Sequence, residues 1–456
     1  MGRTFISNPF GPAPVYEDAV TNGEQTKRIS LRNWSVLGMI LVAAVSGSIN
    51  KQMLPLISGP LKTDLGLSDA EIGIMTGLAP GLVSGGAALA LGWLADRTER
   101  QWLLAFSILA WSASTAVMAM ASSFYMIVFG VFALSAGEMA LLPIFNSIVP
   151  DLFADRLRRR VNLLYGAVIV ASAGITLAFC GLLLSLLTDH RLLLPPPLAG
   201  LAPWRSGLIL VAALGIPVAI GVILTGTVPR QKPDQQEPHT APSPRSPWRV
   251  TLSLYAAFCL FGIGSSAVLS WTTIYVMRAY RLSPAEMGAG MGSVFLASSL
   301  IGILATGVAL RFLEKRHGAW APLELYLRAI LLSILPGSLL PFVHSLGLAY
   351  GLVTLQFSLI FAAAAHNFSL IQDLSPANGR GQASGYFVLS AGVLPAFAPV
   401  LVGLVSDRLN IGPGGLIVAM LSVSIPAYIL GVVILKLTAN AYRCLEASQL
   451  NAISRT

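Results

Sequence analysis

The 456-residue sequence predicts an all-α membrane protein with twelve transmembrane helices in two six-helix pseudo-repeats. Three observations predict it. Hydrophobic residues make up 55% of the chain and charged residues 11%, with a mean hydropathy of +0.73, a balance outside the range of soluble domains. Twelve apolar stretches are long enough to cross a hydrocarbon core of about 30 Å, which takes about 20 helical residues. A polar, proline-rich break at 229–249 divides them six and six.

Taken in order, residues 1–33 are polar, hold Pro9, Pro12 and Pro14, and read as a disordered cytoplasmic tail with no cleavable leader. The N-terminal bundle spans 34–228, with helices at 34–56, 70–93, 102–121, 124–148, 161–187 and 204–228. In the second of these, Gly77, Gly81 and Gly85 stand four apart and offer a smooth face for close helix approach. After the 229–249 linker, the C-terminal bundle spans 250–438, with helices at 250–278, 286–312, 321–343, 346–371, 382–406 and 412–438. Its second helix holds Gly288, Gly290, Gly292 and Gly302; its fifth holds Pro395 and Pro399, which free backbone carbonyls and permit bending. Residues 439–456 form a second cytoplasmic tail.

Basic residues set the orientation. With a cytoplasmic N-terminus, 22 of the 29 lysines and arginines face the cytoplasm, and six (Lys62, Arg191, Arg205, Arg278, Arg281, Arg408) face outward. Lys51 lies inside the first helix. This asymmetry predicts a multi-pass protein of the cytoplasmic membrane with both termini inside. The net charge of +9 then faces anionic membrane lipid, and its spread over short stretches argues against a nucleic-acid partner. Cys180, Cys259 and Cys444 are too scattered for a disulfide framework or a metal site, and no cofactor is implied. There is no G-x-x-x-x-G-K-[ST], H-E-x-x-H or G-x-S-x-G motif, so neither ATP-driven pumping nor common hydrolase chemistry has support. The chain does not read as an enzyme. No helix carries the continuous polar stripe of a channel.

The two halves echo each other. Ser147-Ile148-Val149-Pro150-Asp151-Leu152 closes the fourth helix and Ser369-Leu370-Ile371-Gln372-Asp373-Leu374 closes the tenth. Arg159 precedes Tyr165 as Arg380 precedes Tyr386. Such repeats are how secondary transporters build a central site and rock around it. Between the second and third helices lies Gly92-Trp93-Leu94-Ala95-Asp96-Arg97-Thr98-Glu99-Arg100, a short loop packing four charges into five positions. After the eighth helix, Gly307 to Arg311 and Lys315 form a degraded counterpart, with Arg311 where the first half has Asp96.

The G-x-L-x-D-R-x-x-R spacing of that loop, with the helix count, the repeat and the linker, resembles the major facilitator superfamily over residues 34–438. Within it, the Spinster branch and its bacterial relatives are most similar. The shared features are Leu61-Lys62-x-Asp64-Leu65-Gly66-Leu67-Ser68, Gly92 to Arg97, Gly137-Glu138, and Pro150-Asp151-Leu152-Phe153 with the arginines that follow. The resemblance implies the major facilitator fold, a monomer, and an amphiphilic lysolipid or sphingoid substrate with protons as a coupling ion. Three features depart from it. Asn50-Lys51 stands where an Asp-Arg pair is usual, Val131 replaces an arginine, and 161–187 lacks the Gly-Pro pair of antiporters.

Ionisable groups within a membrane are costly, so each needs a partner or a role. In the first half these are Lys51 and Glu138, expected to form a switchable pair in which Glu138 takes a proton when Lys51 is drawn to a substrate's anionic head. The plainer alternative is a permanent ion pair between the first and fourth helices. Asn50, Trp271, Thr272, Tyr275, Gln356, His366 and Asn367 are the further candidates for substrate or proton binding. Asp96 is expected to accept N–H groups at the start of the eleventh helix, and Arg97 and Arg100 to reach Asp151, forming a gate. Gly92, Arg159, Asp373 and Arg380 complete that set. A small organic anion held by Lys51 is the alternative cargo, and a sensor that binds without flux is the alternative class.

Overall fold

The computed structural model describes residues 31–95, 97–189, 200–226, 228, 248–318, 321–365 and 389–453. The first half holds α1 (Leu31–Leu65), α2 (69–95), α3 (Arg100–Ala119), α4 (Phe124–Leu152), α5 (Asp155–Asp189) and α6 (Pro203–Leu224). The second holds α7 (Trp248–Ala279), α8 (Pro284–His317), α9 (Ala321–Leu339), α10 (Leu346–Ala364), α11 (described over 389–409) and α12 (Pro413–Ile453). Among the described residues, ten of these are long and apolar enough to cross a membrane. The other two, α2 and α11, are irregular. A π-helical stretch, Ile74–Leu78, interrupts α2, and α11 runs through Leu389–Val393 (π) and Leu394–Phe397 (3-10) before Ala398–Leu409. The fold is thus all-α, with twelve membrane helices. Residues 1–30, the linker 229–247 and 454–456 lie outside the described residues.

Several helices outrun the apolar stretches that predicted them. The clearest is α12, which continues to Ile453, so that most of the expected C-terminal tail is helical. The stretch from Ala441 to Ile453 holds good helix formers and no glycine or proline, so nothing stops the helix where hydropathy falls.

The α1–α2 and α7–α8 turns reveal a further echo of the two halves. Gly66 (φ 66°) precedes Leu67-Ser68-Asp69-Ala70-Glu71, and Arg281 (φ 51°) precedes Leu282-Ser283-Pro284-Ala285-Glu286. Leu67 N donates to Lys62 O and Leu282 N to Met277 O, both at 3.1 Å. Ser68 with Glu71, and Ser283 with Glu286, then form matching capping boxes.

Glycines bring the halves together. Between α5 and α8, a Cβ on Gly181 would collide with Pro284 O and one on Gly174 with Gly292 O, while one on Gly288 would stand 2.7 Å from Leu177 O. Between α2 and α11, Gly73, Gly77 and Gly81 lie against Pro399, Ala396 and Gly392. Both crossings are possible because small residues let backbones touch. Further along α5, Gly166 has nothing within 4 Å.

Candidate functional site

Polar side chains along α1 tie the first half together. Asn50 is 2% exposed; its Nδ2 donates to Ser46 O at 2.9 Å and its Oδ1 accepts from Thr115 Oγ1 of α3 at 2.6 Å. Ser48 and Thr176 of α5 share a 2.9 Å hydrogen bond. Asn50, a binding candidate in the sequence, is therefore a buried strut between α1 and α3 in this conformation.

Glu138 stands at a break in α4. The helix is regular over Phe124–Glu138, breaks at Met139 and Ala140, and resumes over Leu141–Leu152. Gly47 of α1 faces the acid: a Cβ there would lie 3.6 Å from Glu138 Oε1, at ordinary contact distance. That oxygen is out of solvent and has no hydrogen-bond partner. Lys51 lies one helical turn from Gly47, is exposed, and is within electrostatic reach of Glu138. Among the described residues the two form no ion pair. In this conformation α1 and α4 are joined by Asn33, whose Nδ2 donates to Leu152 O at 2.9 Å, and not by a Lys51–Glu138 ion pair.

On the other side, polar candidates turn into the core of the second half. Trp271 and Thr272 are 0% exposed. Trp271 Nε1 donates to Pro399 O at 2.9 Å, and Thr272 Oγ1 donates to Val268 O at 2.6 Å. Tyr275 is buried, and Gln356 is buried against Gly337 of α9 with its Oε1 unpartnered. Trp271 and Thr272 find backbone carbonyls nearby, which is why a polar residue on an apolar helix need not face a cavity. His366, Asn367, Asp373, Arg380 and Asp96 lie outside the described residues, and Gly92 and Arg159 are described only as helical backbone.

The charged loop divides its work. Arg100 donates through Nη1 to Asp151 Oδ2 at 2.5 Å and to Ser147 O at 2.7 Å, and both charged side chains are largely buried. Arg97 instead lies with its guanidinium 4.0 Å over the Trp93 ring. Arg100, not Arg97, reaches Asp151 and fastens α3 to the end of α4.

At the opposite end of the bundle the halves meet on Asp69. Its carboxylate accepts from Lys62 Nζ at 2.6 Å, from Arg278 Nη1 at 2.9 and 3.0 Å, and from Ser406 Oγ at 2.9 Å. In turn Asp407 accepts from the backbone N–H groups of Asp69 and Ala70, at 2.9 and 2.8 Å. Burial alone would raise the Asp69 carboxyl. The Lys62 hydrogen bond, the Arg278 charge and the Ser406 hydroxyl outweigh it and hold the group below its ordinary value. This face is sealed.

Comparison with known proteins decides the family. The profile of the Major Facilitator Superfamily matches residues 36–399. The chain belongs to the Major Facilitator Superfamily. It is 23% identical over 386 residues to an MFS-type efflux pump of Mycolicibacterium smegmatis, covering 83% of this chain and 86% of the relative. It is 24% identical over 344 residues to a probable L-galactonate transporter of Escherichia coli, covering 70% of each. Among solved structures it is similar to a bacterial homolog of the human lysosomal transporter Spinster in an inward-facing, unoccupied conformation. That match has a TM-score of 0.70 and 17% identity, and covers 91% of this chain and 96% of the other.

For a member of the Major Facilitator Superfamily, the sealed end is where sequence reasoning falls short. The distribution of basic residues marks Lys62 and Arg278 only as outward loop charges, and no motif points to Asp69. Asp69 follows the Ser68 cap and so starts α2, but nothing local says that Arg278, 209 residues away, comes to it.

Proposed function

We propose that this protein is a secondary active transporter that moves a lysolipid-like organic amphiphile across the cytoplasmic membrane by alternating access, with Glu138 as the proton-carrying group. The observation that carries this reading is Glu138 itself. It sits where α4 is discontinuous, with one oxygen unpartnered and out of water and with Lys51 near but unpaired. Transporters place substrate and ion sites at such helix breaks, where irregular backbone borders a cavity. A carboxylate there needs a compensating cation or a proton. When Lys51 engages an anionic head, the proton is what remains for Glu138. The sequence resemblance to the Spinster branch, which implies an amphiphilic cargo, supports that choice of substrate.

Under the positive-inside orientation both termini are cytoplasmic and the Asp69 seal lies on the outer face. Asp96 would then work at the inner face together with the Arg100–Asp151 pair. The second reading, a small organic anion, is favoured by the exposed and unpaired Lys51 and by the name of the Escherichia coli relative.

Purified protein in liposomes under an imposed pH gradient tests both. Lysophosphatidylcholine and short carboxylates are offered in parallel. Glu138→Gln is expected to lose gradient-driven uptake while keeping substrate counterflow. Undiminished proton-driven uptake in that variant would remove the coupling role. Uptake of carboxylates alone, abolished by Lys51→Gln, would select the second reading, and binding without flux would make the protein a sensor.

A further inference from the structure

The charged loop after α2 has a copy with an intact acid, at the other end of the molecule. Gly403-Leu404-Val405-Ser406-Asp407-Arg408 closes α11 with the same G-x-x-x-D-R spacing with which Gly92 to Arg97 closes α2. The degraded copy within the last turns of α8 has Arg311 at the acid position, so in the second half the acid recurs only at the end of α11 among these segments. Position in the fold gives the match its meaning. Gly92–Arg97 lies at the end of α2, and Asp407 meets the start of that same helix.

We propose that Gly403–Arg408 is a second latch, acting on the face opposite the Gly92–Arg100 loop, in which Asp407 holds the first turn of α2 and has to release it before the sealed face opens. The first N–H groups of a helix have no partner within it, and they carry the positive end of its dipole. Asp407 takes two of them, at Asp69 and Ala70, one on each oxygen. The matched glycine and the residue before the acid serve the same contact. A Cβ on Gly403 would collide with Asp69 O, so only glycine lets α11 come this close. One residue before the acid, Ser406 donates to the Asp69 carboxylate. Across the contact, Gly73 of α2 gives equal room to Pro399 O, which its missing Cβ would strike. Arg408 is exposed and carries none of this. Each of these contacts joins one half to the other, so rocking the halves apart at this face breaks all of them together.

The consequence is a diagonal arrangement on one helix pair. At its start α2 receives the acid of α11, and at its end it carries an acid of its own. Where Asp96 acts as proposed above, each half supplies one acid-bearing latch, and the two act on opposite faces. The device arises from the fold and does not depend on the cargo.

Distances across the sealed face test it without a substrate. In full-length protein with Cys180, Cys259 and Cys444 replaced by serine, nitroxide labels go on the exposed positions Thr63→Cys and Ala279→Cys, one in each half. Pulsed electron resonance in lipid nanodiscs then reads the open and closed populations. Asp407→Asn and Asp407→Ala are each expected to raise the open-to-closed ratio about fivefold, the scale of losing a good helix cap. Gly403→Ala is expected to open the face with Asp407 still in place, and Arg408→Gln to leave the distribution unchanged. Asp407 is exposed, so its variants keep the fold, and Asp69→Asn serves as a positive control that breaks the ion pairs. If Asp69→Asn opens the face while both Asp407 variants keep the parental distribution, the seal belongs to the ion pairs alone and the latch is overturned. A change in Arg408→Gln as large as that in Asp407→Asn would equally overturn it.

Discussion

Arg100 is the residue on which the α3–α4 end of the first half depends. Its guanidinium satisfies a carboxylate and a backbone carbonyl at once, and it is almost wholly buried. Arg100→Ala removes a charge-assisted hydrogen bond to Asp151 and a second bond to Ser147 O, each contributing about 1.5–3 kcal/mol. Arg100→Ala should therefore lower the unfolding midpoint in detergent markedly, and a midpoint equal to the parent's would show that Asp151 is held by other means. The Asn50–Thr115 strut is a milder case. Hydrogen bonds between membrane helices contribute about 0.6 kcal/mol on average and at most about 1.7. Thr115→Val and Asn50→Ala should each destabilise by about 1 kcal/mol and together by less than the sum, since both remove the same bond. Strict additivity in that double-mutant cycle would mean the strut contributes nothing. The same bond explains why Asn50 misleads a reader of the sequence. An amide inside a membrane helix looks functional, and only the fold shows a threonine of α3 waiting for it.

At the scale of helices, the glycine contacts divide in a way that spacing does not reveal. Gly174 and Gly181 of α5 touch α8, whereas Gly166 on the same helix meets nothing within 4 Å. Gly181→Ala is expected to push α5 and α8 apart at the sealed end, while Gly166→Ala should be neutral or slightly stabilising through helix propensity alone. Cross-linking yield between cysteines placed on α5 and α8 near Pro284 would fall in the first variant and hold in the second. Equal loss in both would dismiss the contact and leave only a general intolerance of α5. Helix number, the six-and-six division and the close-packing role of Gly77 and Gly81 were all legible in the sequence, because length and small-residue spacing are local properties. The π-helical stretches in α2 and α11 were not. They arise where two helices must approach within a glycine's width, and Pro399 then gives its carbonyl to Trp271 rather than Trp271 giving its face to a cavity. Pairings such as Asp69 with Arg278 depend on the closure of the whole bundle, which no local pattern encodes.

For the molecule as a whole, Asp69 and Glu138 sit in opposite surroundings, the first paired and the second with an unpartnered oxygen. Asp69 is held ionised at the seal, its carboxyl below the ordinary value of 3.8 through Lys62, Arg278 and Ser406. That direction fixes the sign of the pH effect. When the face opens, Asp69 keeps Lys62 of its own half but loses Arg278 and Ser406 of the other, so its carboxyl rises and the sealed state binds fewer protons than the open one. The stabilisation of the seal is then fully present above that ordinary value and is lost as pH falls through the lowered one. Between about pH 5 and 8 the seal should be indifferent to pH, and below about pH 4 it should weaken. Hydrogen exchange at the first turn of α2, read by mass spectrometry after correction for the intrinsic pH dependence, checks this. Protection should stay level from about pH 8 to about pH 5 and drop only in acid, and Asp69→Asn should remove the drop. A transition centred near about pH 6 that persists in Asp69→Asn would place the responsive group elsewhere at the seal. With Asp69 fixed in its ionised form across the working range, proton coupling cannot run through the seal. Under the proposed proton coupling it enters through an acid that the closed structure leaves unpartnered, and among the described residues of the first half Glu138 fits that description.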